Sequence, residues 1–381
     1  MKKFMTLFMI CALAVSAFAG GKKQEPSSSG SSTPSGSASP SSSSPSTSKS
    51  AAALKVGFVY IGAINDEGYT QAHDKGRRAV EALGVETAYI ENVVANADCE
   101  KAIRDLIDQG CNLIYTTSFG FMDWTIKVAK EFPNVKFAHC SGYQTAPNVS
   151  TYFGKIYQAR YLSGIAAGRK SATGTIGYVA AFPIPEVIRG INAFALGVQS
   201  VNPNATVEVI WTNTWFDPAV EKQAALELLN KGCDVIAQHQ DTTSPQLAAQ
   251  EKGAFTVGYN VATPNAAPRA YLTSPVFHWE VFYVDDVKSA LNGTWKSRAY
   301  WEGLSSGMVS LDTLTPLNDS ATADMIHEAA NEIVSGVFDP FMGPLFDQNN
   351  VERVADGARM SDTEIWNMGW FVQGVIGTIP E

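Results

Sequence analysis

The chain has 381 residues, 45% of them apolar and 17% charged, with 28 basic against 37 acidic side chains and a formal charge of −9. This length outgrows one compact core and suggests about two domains. Setting aside Lys2, Lys3, Lys22, Lys23, Lys49 and Glu25 of the first 50 residues takes the charge to −13, which argues against a nucleic-acid partner because such proteins neutralise phosphates with a basic face.

Residues 1–19 read as a signal peptide. Lys2 and Lys3 open it, Phe4 to Val15 supply an apolar stretch too short to cross a bilayer, and Ala17-Phe18-Ala19 gives the small-x-small pattern of a cleavage site. The expected mature chain works in the periplasm or at the cell surface. Residues 20–53 form a Ser/Pro-rich tether, and positions 26–50 alone hold fifteen serines and four prolines. Such a run cannot bury enough apolar area to offset its ordering entropy, so disorder is expected. Flexible tethers of this kind often hold a domain at a membrane through a lipidated cysteine. Here Ala19-Gly20 is followed by Gly21, so the lipobox cysteine is missing and a membrane tether is left open.

From Leu54 onward, short β-branched runs alternate with amphipathic stretches. Strands are expected over Lys55–Tyr60, Glu86–Ile90, Leu113–Thr117 and Val135–His139, with helices over Asp98–Gln109 and Trp124–Glu131 between them. Alternation of this type implies βαβ units around a parallel sheet. After a helix over Ile156–Lys170 the pattern begins again. Strands are expected at Thr175–Ala180, Val207–Trp211, Val235–Gln238 and Phe255–Tyr259, and helices near Glu186–Ser200, Pro218–Asn230 and Ser244–Lys252. The halves echo each other about 120 residues apart. Gly57-Phe58-Val59-Tyr60 matches Gly177-Tyr178-Val179-Ala180, and Gly110-Cys111-Asn112 matches Gly232-Cys233-Asp234. The expectation is an α/β chain with lobe 1 over 54–165, lobe 2 over 166–300 and hinge-crossing segments over 301–381. Cys99, Cys111, Cys140 and Cys233 form no C-x-x-C pair and are expected as buried small hydrophobes, with one disulfide left possible.

Open α/β sheets bind ligands beyond the carboxyl ends of their strands, so two facing lobes make a ligand clamp. The residues at those ends are unusually aromatic. Tyr69 follows the first strand, and Ser118, Phe119, Asp123 and Trp124 follow the third. Trp215, Phe216, Asp241 and Trp279 occupy the corresponding turns of the second half. Rings beside carboxylates suit a flat polar heterocycle, whose faces stack and whose edges need hydrogen bonds. A sugar could use the same stacking. Structural roles compete at each position: Asp217-Pro218 is a helix N-cap followed by proline, Asp66 and Asp241 could also be caps, and Phe119, Phe121 and Trp124 could be core. Catalytic patterns are weak. Gly303-Leu304-Ser305-Ser306-Gly307 is followed by a strand-like run where a nucleophile elbow needs a helix. The five histidines show no metal-ligand spacing, and no cofactor or metal is expected.

Several of these segments together resemble the basic membrane protein (BMP) family of solute-binding components of ABC importers, which includes purine nucleoside receptors. They are Lys55–Tyr60, Asp66-Glu67-Gly68-Tyr69-Thr70, Thr117–Gly120, Arg160–Gly164 and Asn213–Pro218. The resemblance covers nearly all of residues 54–345. It implies a type I periplasmic-binding-protein fold, a three-segment hinge, a purine base or nucleoside in the cleft, and an ABC permease as partner to a monomeric, non-enzymatic receptor. It places Tyr69 and Trp215 with Phe216 as opposing rings, Phe119 and Asp123 in a Ser-Phe-Gly loop at the base, and Asp241 in the loop of the next strand. The Asp and Lys that hold ribose in nucleoside receptors of this family are absent from Gly258-Tyr259-Asn260 and Ser274–Trp279, which implies an adenine-like free base. A flavin or sugar receptor of the same fold and a nucleoside-processing enzyme remain the alternatives.

Overall fold

The structure is a computed structural model and describes residues 53–380. The expected signal peptide and nearly all of the expected tether lie outside the described residues. The first sheet is assembled from β1 (Lys55–Val59), α1 (Tyr69–Glu81), β2 (Glu86–Ile90), α2 (Ala97–Asp108), β3 (Leu113–Thr116), α3 (Met122–Glu131), β4 (Lys136–Cys140) and β5 (Val149–Gly154). Helix α4 (Ile156–Lys170) leads to β6 (Thr175–Ala180), α5 (Pro185–Val201), β7 (Thr206–Trp211), α6 (Pro218–Asn230), β8 (Val235–His239), α7 (Ser244–Glu251), β9 (Phe255–Val257) and β10 (Tyr271–Thr273). Next come β11 (Pro275–Phe277), α8 (Trp279–Leu291), β12 (Ala299–Glu302), β13 (Val309–Leu311) and α9 (Ser320–Ser335). The chain finishes with β14 (Leu345–Phe346), β15 (Glu352–Val354), α10 (Asp362–Trp366) and β16 (Val375–Ile376).

Two six-stranded sheets result, ordered β2-β1-β3-β4-β5-β12 and β16-β7-β6-β8-β9-β10. Every pairing within them is parallel. Parallel strands need covered faces, and the inner strands β3, β5 and β8 are buried on both sides here, while β2 and β7 are only partly covered. The internal echo has a packing cause. Gly57 and Gly177 occupy equivalent positions on β1 and β6, where a Cβ would lie 3.1 Å from Leu106 and 2.9 Å from Leu228 of the helix packed over each strand. Both helices then end at a glycine of positive φ, Gly110 (+89°) and Gly232 (+95°), which tucks Cys111 and Cys233 under the sheet. All four described cysteines are buried and unpaired, as expected of small hydrophobes.

The chain passes between the lobes three times. The first passage runs from β5 into α4, and the second follows β10. The third follows β13, whose exit is held to the second lobe by Asp312 N–H donating to Ser274 O at 2.8 Å and Thr315 N–H to Leu272 O at 3.1 Å. The second passage corrects an expectation. Residues 279–291 were assigned to lobe 2, but α8 packs against α1 and β12 completes the first sheet beside β5. Helical periodicity shows that a helix buries one face; it does not say against which sheet. Around Ser305 the order is strand, 3₁₀ turn, strand, so no nucleophile elbow forms. Among the described residues no helix is long and apolar enough to cross a membrane.

Candidate functional site

The carboxyl ends of both sheets meet around a small cavity lined by Ile61, Tyr69, Ser118, Phe119 and Ser141 from lobe 1 and by Glu186, Trp215, His239, Asp241 and Tyr259 from lobe 2. Its empty volume is about 330 Å³, part of it open to solvent.

In lobe 1, α1 begins where Asp66 folds its carboxylate over the first turn and accepts from the N–H groups of Gly68, Thr70 and Gln71 at 2.9, 2.8 and 3.0 Å. Asp66 is therefore a cap. That turn delivers Tyr69, whose hydroxyl donates to Thr117 O at 2.5 Å and lies 3.3 Å from Cys140 Sγ. Ser118 and Phe119 follow β3, and Ser141 follows β4 with φ at +65°.

In lobe 2, Glu186 sits in the first turn of α5, where the helix dipole favours a carboxylate. Trp215 follows β7 and packs against Phe182, ring centroids 5.2 Å apart. Its neighbour Asp217 caps α6 by accepting from Ala219 and Val220 N–H. His239 ends β8 and Asp241 lies two residues further on, while Tyr259 follows β9. The guanidinium of Arg160, buried in α4, stands 3.7 Å from the centre of the Tyr259 ring and donates to Gln238 O at 2.6 Å.

Glu186, His239 and Asp241 are shifted in different directions by their surroundings. Burial pushes His239 down to about 4, assisted by the Arg160 charge, so the ring is neutral at pH 7. Both its nitrogens lack a hydrogen-bond partner, and Nε2 stands 3.8 Å from Glu186 Oε1. Burial alone would raise the Glu186 carboxyl, but His239, Arg189 and Ser141 outweigh it and hold the group below the usual carboxylate range. Asp241 goes the other way. Burial, then the charges of Asp66 and Glu221, raise it well above that range, and only the amide of Asn260, donating to Oδ1 at 3.0 Å, opposes the shift. The cavity thus offers a carboxyl held low, a neutral imidazole and a second carboxyl pushed up by burial and neighbouring charge.

The lobes are closed on each other. The Ser141 hydroxyl donates across the cleft to Glu186, and the Thr243 hydroxyl donates to Glu67 at 3.2 Å. Gly68 lies so near Asp241 that a Cβ there would sit 2.3 Å from the Asp241 carbonyl oxygen.

Of the residues anticipated from sequence, Tyr69, Ser118, Phe119, Trp215 and Asp241 line the cavity. Phe216 is exposed and lines an adjoining groove instead. Asp123 projects from the exposed side of α3, and its expected place at a base edge is not among the cavity walls. Trp279 is also displaced from its expected role. It is fully buried in lobe 1, stacked on His73 at 4.1 Å and on Phe277 at 4.4 Å. Beside Glu280 it had the look of a ligand ring, but adjacency in sequence does not fix where a side chain points. Ile61, Ser141, Glu186, His239 and Tyr259 were not singled out. His239 carries a readable signal because it ends a strand on the ligand side, and Glu186 carries one because it opens the helix that follows β6. Among the described residues no cluster of three or more His, Cys, Asp or Glu side chains could hold a metal.

Comparison with known proteins agrees with this geometry. The chain is 43% identical over 331 residues to a purine-binding protein of Brucella abortus, covering 86% of this chain and 94% of that one. It is 39% identical over 325 residues to a Haloferax volcanii protein provisionally named ABC transporter glucose-binding protein TsgA13, covering 85% and 80%. Solved solute-binding proteins of ABC transporter systems from Aeropyrum pernix (TM-score 0.68, 20% identity, 75% of this chain and 92% of that one) and Conexibacter woesei (0.64, 22%, 75% and 98%) share the fold. Residues 53–338 match the model of the PnrA-like ABC transporter substrate-binding proteins, and the chain belongs to that family.

Proposed function

We propose that this substrate-binding protein captures a purine base of the adenine type between its lobes outside the cytoplasm and hands it to an ABC permease. One observation carries the reading: the cavity between the closed lobes has aromatic walls from both of them and, on the lobe 2 side, the polar side chains of Glu186, His239 and Asp241. A purine presents two faces for stacking and an edge that alternates donors with acceptors. Glu186 offers acceptor oxygens, neutral His239 can donate from one nitrogen and accept at the other, and the Asp241 carboxyl faces the same space. Two features favour the base over a nucleoside. Asn260, where a ribose-holding carboxylate would be expected, is committed to Asp241. The neighbouring Tyr259 is covered by Arg160. The Brucella relative's name supports a purine and the Haloferax relative's name a sugar.

Mass spectrometry of the small molecule released on denaturing the purified protein tests the proposal directly. A purine is expected, and calorimetry should then show adenine binding and no response to glucose. Release of a hexose, or glucose binding with adenine silent, would replace the purine reading by the sugar one.

A further inference from the structure

An apolar groove adjoins the cavity. Toward α1 the cavity is sealed where Gly68 meets the Asp241 backbone and Thr243 meets Glu67. On another side it is sealed by the Ser141–Glu186 hydrogen bond. Ile61, Ser118, Phe119 and Trp215 line both the cavity and the neighbouring groove, which has about 1,120 Å³ of empty volume, part of it open to solvent. The groove's further walls include Val93, Val94, Phe182, Pro183, Ile184 and Phe216. No charged side chain lines it, and its polar side chains are Ser118, Asn213 and Thr214. Thr214 Oγ1 already accepts from Phe216 N–H at 3.3 Å.

We infer that the ligands include purines carrying an apolar substituent, with the ring in the closed cavity and the substituent along the groove between Val94 and Phe216. This rests on the purine reading above and refines it. A ribose placed in this groove would bring three hydroxyls to a surface with few partners, and hydroxyls dehydrated without partners weaken binding. An alkyl or aryl group gains from the same surface by leaving water. Val94 and Phe216 remain 58% and 48% exposed, so the substituent has apolar area left to cover.

Calorimetry with adenine, adenosine and adenines benzylated at N6, C8 or N9 tests the inference. At least one benzyl isomer should bind within about threefold of adenine or more tightly, as expected when a phenyl ring is buried on apolar walls. Adenosine should bind at least about tenfold more weakly than adenine, because its hydroxyls find few partners. Val94→Asp should weaken the accepted isomer about tenfold, by setting a charge against the ring, and leave adenine unchanged. If adenine binds but every benzyl isomer is weakened more than about tenfold, as overpacking would do, the groove does not receive substituents and the inference falls alone. If Val94→Asp weakens adenine as much as the benzyl compound, the groove is not a separate subsite and the inference also falls. If the wild-type protein binds neither adenine nor any benzyl isomer, the purine reading falls and takes the inference with it.

Discussion

The two lobes share one frame and divide the work. Both order their five common strands identically, β2-β1-β3-β4-β5 against β7-β6-β8-β9-β10. Lobe 1 gives the cavity no charged side chain; its walls are aliphatic, aromatic and hydroxyl. Its own interior is a continuous aromatic cluster in which Trp279, His73, Phe277, Tyr152 and Tyr283 touch ring to ring. Lobe 2 supplies Glu186, His239 and Asp241, with buried Arg160 and Arg189 behind them. Duplicating a βα frame repeats the packing rules, which concern glycines and helix faces. It leaves the strand-end residues free to diverge. We read lobe 2 as the side that recognises and lobe 1 as the side that closes.

The sharpest way to break this comparison is to separate folding from binding in lobe 1. Trp279→Ala should lower stability by about 3–5 kcal/mol, the usual cost of deleting a fully buried large aromatic. Ligand affinity of the protein that remains folded should change less than in Trp215→Ala. Chemical denaturation and calorimetry on the same samples would check it, and an affinity loss exceeding that of Trp215→Ala would return Trp279 to the site. Closure itself comes next. An alanine at Gly68 would press its methyl on the Asp241 carbonyl oxygen. Gly68→Ala should weaken ligand binding by about 1–3 kcal/mol, the range of overpacking costs, with the melting temperature nearly unchanged and a wider particle in small-angle scattering. Trp215→Ala should weaken purine binding about tenfold, near the lower end of what one stacked base contributes. Unchanged affinity would remove Trp215 from the ligand's faces.

A pH-dependent effect concerns His239. Its folded pKa of about 4 lies below the unfolded value near 6.5. The folded state therefore binds fewer protons in that window, and His239 favours folding above pH 6.5 and loses that contribution as pH falls toward 4. Buried His73 and His139 act in the same sense, and the raised carboxyls of Asp66 and Asp241 act in the opposite one. The difference between wild type and His239→Gln isolates the one group. It should shift in favour of the variant by about 1.4 kcal/mol per pH unit lost between 6.5 and 4, measured by urea unfolding across that range.

Much of the frame was legible in the sequence because it depends on local rules. The predicted helices Ile156–Lys170 and Pro218–Asn230 match the observed limits residue for residue, the latter because Asp217-Pro218 writes its start chemically. The Gly57/Gly177 and Gly-Cys echoes were visible because a helix crossing a strand closely must repeat its small residue. What stayed hidden is non-local. Nothing in Trp279–Leu291 says that this helix returns to the first sheet. Ser141 reaches Glu186 across 45 residues of chain. His239 looks like any strand-end histidine until Tyr259 and Arg160 surround it. The misplaced rings teach the same lesson, for Trp279 and Trp215 both sit beside acids in the sequence and only one faces the cavity.

The last strand has a bearing on solubility. β16 pairs with β7 through Val375↔Val207 and Ile376↔Glu208, and Gln348 braces it by donating to Val375 O at 2.7 Å. This covers the flank of a six-residue strand whose free N–H and C=O groups would otherwise invite another chain to add on, the ordinary route to edge-to-edge aggregation. The family match stops at residue 338, so the guard is built wholly from sequence beyond it. The pairing shortens the edge along which a second chain could add a strand to this lobe.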